Sequence, residues 1–381
     1  MRKEYLMTPG PCPIPSEVGL ELAKPIIHHR TDEYHKVHKA VIKGLKKIFK
    51  TTKADVFIFA SSGTGAMEGA VVNTLSKGDK AIVVRGGKFG QRWGEICQVY
   101  GVNLIPIDVK WGDAVDPSEI EGGLAANPDA KAVFVTLCET STCVKTDIKT
   151  IGRIVKKTPA ILIVDAISGL GCTDLQMDNW NLDVVVAGSQ KGLMLPTGLA
   201  FTAVSEKAWG LVEKSTLPKY YFSYQKAKEA QGRLETAYSA PASLIVALKK
   251  SLDIILEEGI DNILARHARL AEATREAIKA IGLQLLSNSP VEGVTGFCVP
   301  KGISGEELKR VIYEKYGVNV AGGQGKLKGK IIRIAHMGYS DNFDIITAIS
   351  ALEMSLNDLG YKVELGKGVR IAQEILRRRS I

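Results

Sequence analysis

Lys191 stands between two apolar runs: residues 184–187 (VVVA) precede it and Gly192, Leu193, Met194 and Leu195 follow it. A lysine held among such neighbours loses basicity and becomes an amine nucleophile near neutral pH. The plainer alternative is a side chain that carries its charge outward on its aliphatic stem. Other residues bear on the choice. Asp165 closes the apolar run ILIVD, where a carboxylate is costly unless a cation or a protonated heterocycle meets it. Ser61, Ser62, Gly63, Thr64 and Gly65 connect the run DVFIFA to a helical pattern. Glycines at a helix start let the backbone approach an anion, and the free N–H groups there hold it. The step from Gly65 to Gly69 is too long for G-x-G-x-x-G, and no Lys-Ser/Thr pair follows, so this is neither a dinucleotide nor a Walker loop. Thr140, Ser141 and Thr142 form a hydroxyl cluster that either donates to an oxyanion or caps a turn.

An amine, a carboxylate, an anion seat and a set of hydroxyls, each after a strand-like run, fall on one sheet edge, where doubly wound sheets collect ligands. Pyridoxal 5'-phosphate needs that set: a lysine for its aldehyde, an aspartate for its pyridinium nitrogen and a helix N-terminus for its phosphate. No metal, nicotinamide or nucleotide reading uses all four groups.

The elements that must position them are legible in the same pattern. Runs at 55–60, 81–84, 104–109, 132–137, 161–165, 183–187 and 200–204 are apolar with little alternation, as in strands buried on both faces of a mostly parallel sheet. Helical periodicity fills the gaps, in GAMEGAVVNTL, GQRWGEICQVY, PSEIEGGLAA and DIKTIGRIVKK. The expected fold class is α/β, a doubly wound domain with helices on both faces. From PASLIVALKKSLDIILEEG onward, with Pro241 at a helix start, the order helix, strand, helix, strand, helix predicts a smaller α+β domain. Residues 219–240 lack a clean period and read as a long loop, with Tyr221, Tyr224 and Tyr238 either lining an entrance or packing.

The chain has 381 residues, is 45% hydrophobic, carries a net charge of +9 and has a mean hydropathy of +0.04. No apolar run is long enough for a transmembrane helix. The N-terminus has no signal-peptide core and the terminal LRRRSI is no peroxisomal address, so a cytoplasmic protein is expected. Six cysteines without a C-x-x-C pair read as reduced thiols. The basic runs KGLKKIFK and RRR read as solvated helix faces, and no nucleic-acid module accompanies them. His35 and His38, with His28 and His29 nearby, have no carboxylate or cysteine to complete a metal site, and His336 reads as packing; no metal is expected.

The stretches TPGPCPIP, SSGTGAMEGA, GGKFGQRW, ETSTCV, VDAISGLG, GSQKGLMLPTGLAF and IIRIAHMGY together resemble the class V aminotransferases of the fold-type I pyridoxal-phosphate superfamily, most of all the serine–pyruvate / alanine–glyoxylate group. The resemblance spans nearly the whole chain. It implies an N-terminal segment (1–15) tied to the active site and small domain, a large cofactor-binding domain (16–255) and a small C-terminal domain (256–381). It implies that Lys191 binds the cofactor and then shuttles the proton, and that Asp165 keeps the ring nitrogen protonated. Thr64, Gly65 and Gln190 would hold the phosphate beside Ala66, which replaces a longer polar residue of some relatives. Phe89 would stack on the ring where relatives often have Trp, Ile167 would press its other face, and Thr140 would reach the O3' edge. Arg333 would take the substrate carboxylate. Thr236 and Ser239 would reach a partner's phosphate across a homodimer interface, Thr236 standing where some relatives have Tyr. Cys143 stands where Gly is common. The activity implied is transamination of alanine or serine with glyoxylate or pyruvate. A 2-aminoethylphosphonate–pyruvate transaminase, a cysteine desulfurase-like lyase and a catalytically retired interaction subunit are the alternatives.

Overall fold

Seven apolar runs assemble into one sheet, in the order Asp55–Phe59, Ala200–Val204, Val184–Gly188, Ile161–Asp165, Ala132–Thr136, Lys80–Arg85, Asn103–Asp108. They coincide with the seven runs singled out in the sequence, with ends shifted by a residue. The four pairings from Val184–Gly188 to Asn103–Asp108 are parallel, and only Ala200–Val204 runs antiparallel to both its neighbours. The computed structural model describes residues 3–378. Met1, Arg2 and residues 379–381 lie outside the described residues, and with them the last arginine of the RRR run and the terminal tripeptide read for targeting.

Alternate residues of each strand feed opposite layers, the period-two consequence of a pleated chain. Val56, Val133, Leu162, Val164 and Val185 pack under the helices Asp32–Ile48, Ile148–Val155 and Ala242–Glu258. Phe57, Phe134, Ile163 and Val186 pack under Gly63–Thr74, Lys88–Val99 and Glu206–Val212. Both faces are covered, which is why the strands show no polar alternation. A separate core gathers the helices Ile260–Ala280, Gly305–Tyr316 and Asn342–Asp358 with a three-stranded sheet in the order Val294–Cys298, Ile331–Ala335, Ala321–Gly322. The N-terminal strand Tyr5–Leu6 joins it by parallel pairing with Val318–Asn319, and Met7 is buried in it. Residues 8–12 are thereby led back toward the large sheet.

Two elements depart from the sequence expectations. The segment 219–240 contains the helix Tyr224–Gln231, not only loop. Ser223 caps it by accepting from Lys226 N at 3.3 Å, and Tyr224, Ala227 and Ala230 bury a short i, i+3 stripe that the flanking irregular chain obscures. A final helix, Lys367–Leu376, follows the buried Glu353 carboxylate, which accepts from Gly366 N at 2.8 Å and Gly368 N at 2.6 Å. That anchor comes from a distant residue and leaves no local signal. Among the described residues no helix is long and apolar enough to cross a membrane.

Candidate active site

The chemistry gathers at the carboxyl ends of the parallel strands, with Arg333 added from the smaller antiparallel sheet. Lys191 follows Val184–Gly188 and is 7% exposed. Its amine donates to Pro9 O, and Gly10, at φ 109, lies so close that a side chain there would strike the lysine Cε and Nζ. Behind it Cys12, Cys138, Cys143 and Cys172 form a buried cluster with Val291, Val294, Ala335 and Met337. Burial pushes the Cys12 and Cys143 thiols up to about 12 and that of Cys172 to about 11, so they remain neutral and act as an apolar floor. Burial in this setting lowers the basicity of Lys191, with Arg333 adding to the effect against the pull of Asp165.

Asp165 ends the next strand, pairs in register with Val186 and is 3% exposed. Its Oδ1 accepts from Ile167 N at 2.8 Å, while Oδ2 has no hydrogen bond among the described residues. Burial pushes the carboxyl up to about 7, and Glu139 adds to the rise. Ile167 folds back so that a Cβ on Gly63 would meet its Cδ1 at 2.5 Å. A Cβ on Gly65 would meet Phe222 Cζ at 2.7 Å. Only glycine admits the chain this close, and the helix Gly63–Thr74 opens there with its N–H groups. The Gln190 amide reaches the same place: its Oε1 is buried without a partner, and both Oε1 and Gly63 N adjoin Gly188. Ala66 is buried one turn inside.

The other wall is the helix Lys88–Val99. Phe89 sits in its first turn with Arg92 stacked on it, 4.9 Å from guanidinium carbon to ring centre, and Arg92 NH1 donates to Thr64 Oγ1 at 3.1 Å. Glu139 fixes this start. It accepts from Phe89 N at 3.1 Å, Gly90 N at 2.9 Å and Ser141 Oγ at 2.5 Å, while Ser141 Oγ accepts from Lys88 N at 2.9 Å. Burial raises the Glu139 carboxyl even against these bonds. Replacing Glu139 with alanine strands these donors, and a loss of about 3 kcal/mol in unfolding free energy is expected in denaturant titrations. Unchanged stability would show that the cap carries no load.

The hydroxyl cluster divides. Ser141 is spent on the cap, and Thr142 lies 3.4 Å from Glu139 O and 3.5 Å from Gly86 O. Thr140 alone points inward, donating to Ser168 Oγ at 2.6 Å. Its carbonyl accepts from Arg333 NH1 at 2.8 Å, and Gly322 O accepts from Arg333 Nε at 3.0 Å and NH2 at 2.8 Å. Arg333 is 4% exposed, in the strand Ile331–Ala335, with no carboxylate within 4 Å among the described residues. Two carbonyls orient the guanidinium and leave its NH1/NH2 edge able to clamp a carboxylate.

Thr236 and Ser239 are not brought to this group. Thr236 Oγ1 donates to Tyr238 O at 2.7 Å, and Ser239 is exposed beside the stacked Tyr238 and Tyr221 rings. Tyr224 is buried between Phe57 and Phe59. His38 is buried, which lowers it to about 4, and His35 Nε2 lies 3.6 Å from Glu235. His336 is buried against Thr295 Oγ1 at 2.9 Å. No group of three or more His, Cys, Asp or Glu is gathered to hold a metal among the described residues. Four contributors escaped the sequence reading: Arg92, Glu139, Ser168 and the Pro9-Gly10 turn. Only Arg92 left a signal, one helical turn beyond Phe89.

The residues fit pyridoxal phosphate on these observations: a buried amine, a buried carboxylate with one oxygen free of hydrogen bonds among the described residues, an orphaned amide and a glycine cradle beside the Arg92 guanidinium. A family model described as aminotransferase class-V matches residues 21–336. The chain is a class-V aminotransferase. Pyridoxal phosphate is the cofactor of that class. The chain is 41% identical to a protein named soluble hydrogenase, small subunit, from Synechococcus, covering 98% of each chain. It is 38% identical to L-aspartate–glyoxylate aminotransferase of Paracoccus denitrificans, over 97% of this chain and 95% of that one. The solved ureidoglycine–glyoxylate aminotransferase of Bacillus subtilis superposes with a TM-score of 0.95 at 25% identity, covering 99% of both chains. This class-V aminotransferase thus acts on amino acids and 2-oxo acids through a pyridoxal-phosphate site.

Proposed function

We propose that this aminotransferase moves the amino group of a small L-amino acid, alanine or serine, to glyoxylate or pyruvate in two half-reactions. The observation that carries the reading is a buried Lys191 amine and a buried Asp165 carboxylate at the ends of two paired strands, with Arg333 near enough to lower the basicity of the amine. The glyoxylate in the names of the relatives supports the acceptor.

Bound pyridoxal phosphate supplies an aldehyde that exchanges amines and a ring that withdraws electrons. The protein does the rest. Gly65, Thr64, Gln190 and the first N–H groups of the helix hold the phosphate, with Arg92 adding a cation. Phe89 and Ile167 would hold the ring between them, and Thr140 would offer a hydroxyl to it. Asp165, charged once a protonated nitrogen lies beside it, holds that proton in place. Arg333 clamps the substrate carboxylate, which fixes the α-carbon near Lys191. Lys191, its basicity lowered by burial, would carry the proton between the substrate α-carbon and the cofactor's aldehyde carbon. Ser239 is exposed in one chain, in keeping with a homodimer in which it serves the partner's phosphate, while the Thr236 hydroxyl is spent on Tyr238 O. The separate C-terminal core supports domains at 16–255 and 256–381, with 1–15 bridging them. The free cysteines are in keeping with a cytoplasmic protein. A desulfurase needs a cysteine on a mobile loop, and Cys298 instead ends a strand.

The test is a half-reaction. Holoenzyme mixed with L-alanine or L-serine alone should lose its visible absorbance and form one keto acid per chain; glyoxylate should restore the band. No change with either amino acid contradicts the reading. Arg333→Lys, which keeps the charge but not the two-pronged geometry, is expected to lower kcat/KM about 30-fold for donor and acceptor alike.

A further inference from the structure

Glu139 sits where the helix that carries Phe89 meets the turn that aims Arg333. It closes the short strand Cys138–Glu139, which pairs antiparallel with Val144–Lys145 around the turn 140–143. The side chain is buried, and its hydrogen-bond partners are all neutral. Oε2 accepts from Phe89 N at 3.1 Å and Gly90 N at 2.9 Å. Oε1 accepts from Ser141 N at 3.2 Å and Ser141 Oγ at 2.5 Å, and Ser141 Oγ itself accepts from Lys88 N at 2.9 Å. Four donors converge on two oxygens, which is the bonding of an ionised carboxylate. A neutral acid or an amide would aim a hydrogen at one of them. The fit is close: a Cβ on Gly87 would lie 2.4 Å from Glu139 Cδ and 2.5 Å from Ser141 Oγ. The glycine in front of Lys88 therefore lets the turn press against the helix start.

A cap that served only the helix would need no bond to Ser141. The bonds to Ser141 join the helix to a turn that is itself tied to the rest of the site. The next residue after Glu139, Thr140, donates its hydroxyl to Ser168 Oγ at 2.6 Å, and its carbonyl accepts from Arg333 NH1 at 2.8 Å. Arg333 in turn donates to Gly322 O from Nε at 3.0 Å and NH2 at 2.8 Å. Phe89, the Thr140 hydroxyl and the Arg333 guanidinium come from three distant stretches of chain and share this one buried anchor.

We propose that Glu139 is a positioning residue for the transamination: its carboxylate locks the start of the helix Lys88–Val99 to the turn 140–143, and so fixes Phe89, Thr140 and Arg333 relative to one another. The inference rests on the reading of those three residues given above and adds the group that holds them in register.

The experiment compares the holoenzyme with Glu139→Gln and Ser141→Ala. Glutamine keeps the size of the side chain but offers one acceptor oxygen in place of two. Ser141→Ala leaves the carboxylate on the helix and removes only the hydroxyl shared with Lys88 N. Alanine–glyoxylate exchange is measured well below the melting temperature of each protein, where a loss of stability alone moves neither kcat nor KM. In Glu139→Gln, kcat should fall about 30-fold and KM for alanine should rise about 3-fold, as expected when ring wall and clamp are both displaced. Ser141→Ala should show the same pattern, with kcat down about 5-fold. Hydrogen exchange read by mass spectrometry gives a readout free of turnover. In both variants exchange should speed up at residues 88–91, at 139–144 and at 321–323, which meet the turn through Arg333, while the helix Ile260–Ala280 keeps its rate. Acceleration that stops short of 321–323, or kinetic constants unchanged in both variants, overturns the proposal. If Glu139→Gln does not fold, Ser141→Ala decides by the same two readouts. An unmodified enzyme that turns over neither substrate fails the transamination reading, and the exchange pattern then judges the lock by itself.

Discussion

Lys191→Ala is expected to lower kcat for alanine–glyoxylate exchange by at least 10⁴-fold. Two contributions vanish together, the covalent attachment of the cofactor and the proton transfer between two carbons, and the second alone is worth roughly 10²- to 10⁴-fold. The pocket should survive, because the truncation removes the side chain that meets the Pro9-Gly10 turn and leaves the glycine cradle at Gly63 and Gly65 in place. The variant should still bind the cofactor through Gly65, Thr64, Gln190 and Arg92, but weakly enough for gel filtration to remove it. A small primary amine supplied in solution should restore part of the rate, since the missing group is an amine in a site already built around it. Stopped-flow measurement of the half-reaction checks both effects. A Lys191→Ala enzyme with ordinary turnover would remove the basis of the mechanism.

Asp165→Asn is expected to stabilise the cofactor-free protein at high pH while lowering turnover about 10³-fold. The carboxyl sits at about 7 against an ordinary 3.8, with burial as the main cause. Between about pH 4 and pH 7 the folded chain therefore retains a proton that the unfolded chain has released. Stability from this group is full below the unfolded value and is lost as pH rises through the folded one. At about 1.4 kcal/mol per pH unit, the loss is at most about 4 kcal/mol, and asparagine does not suffer it. Thermal melts of cofactor-free protein should show the variant gaining on the unmodified chain from pH 4 to pH 8. Adding cofactor should close the gap, because a protonated ring nitrogen supplies the charge that the buried carboxylate lacks. A stability difference that ignores pH contradicts the assignment of Asp165. Function and stability pull against each other at this position, as they do where a site is kept strained for use.

The sequence and the structure agree best where the signal is local. Ile161–Asp165 and Ala200–Val204 are strands with the bounds that their β-branched runs suggest, and Asp165 and Lys191 are conspicuous because charge is rare at the end of such a run. The glycine pair Gly63 and Gly65 is legible for the same reason, since two glycines at a helix start serve a close approach. The reversal of Ala200–Val204 was not legible, because a strand buried on both faces looks the same in either direction. Glu139 was not legible either. A carboxylate whose partners are backbone N–H groups some 50 residues earlier leaves no pattern near itself. Arg333 was placed by the likeness of IIRIAHMG to a known motif, and the carbonyls that orient it come from residues 140 and 322, far apart in the chain. The helix Tyr224–Gln231 was hidden because its buried stripe, of only three residues, sits in a segment otherwise without period.

Reduction of the holoenzyme with borohydride, followed by proteolysis and mass spectrometry of the peptides, tests the central claim most directly. The account predicts one reduced cofactor per chain, carried by the peptide that contains Lys191 and by no other. A label on a different lysine, or a chain that takes up no label after incubation with pyridoxal phosphate, would contradict it.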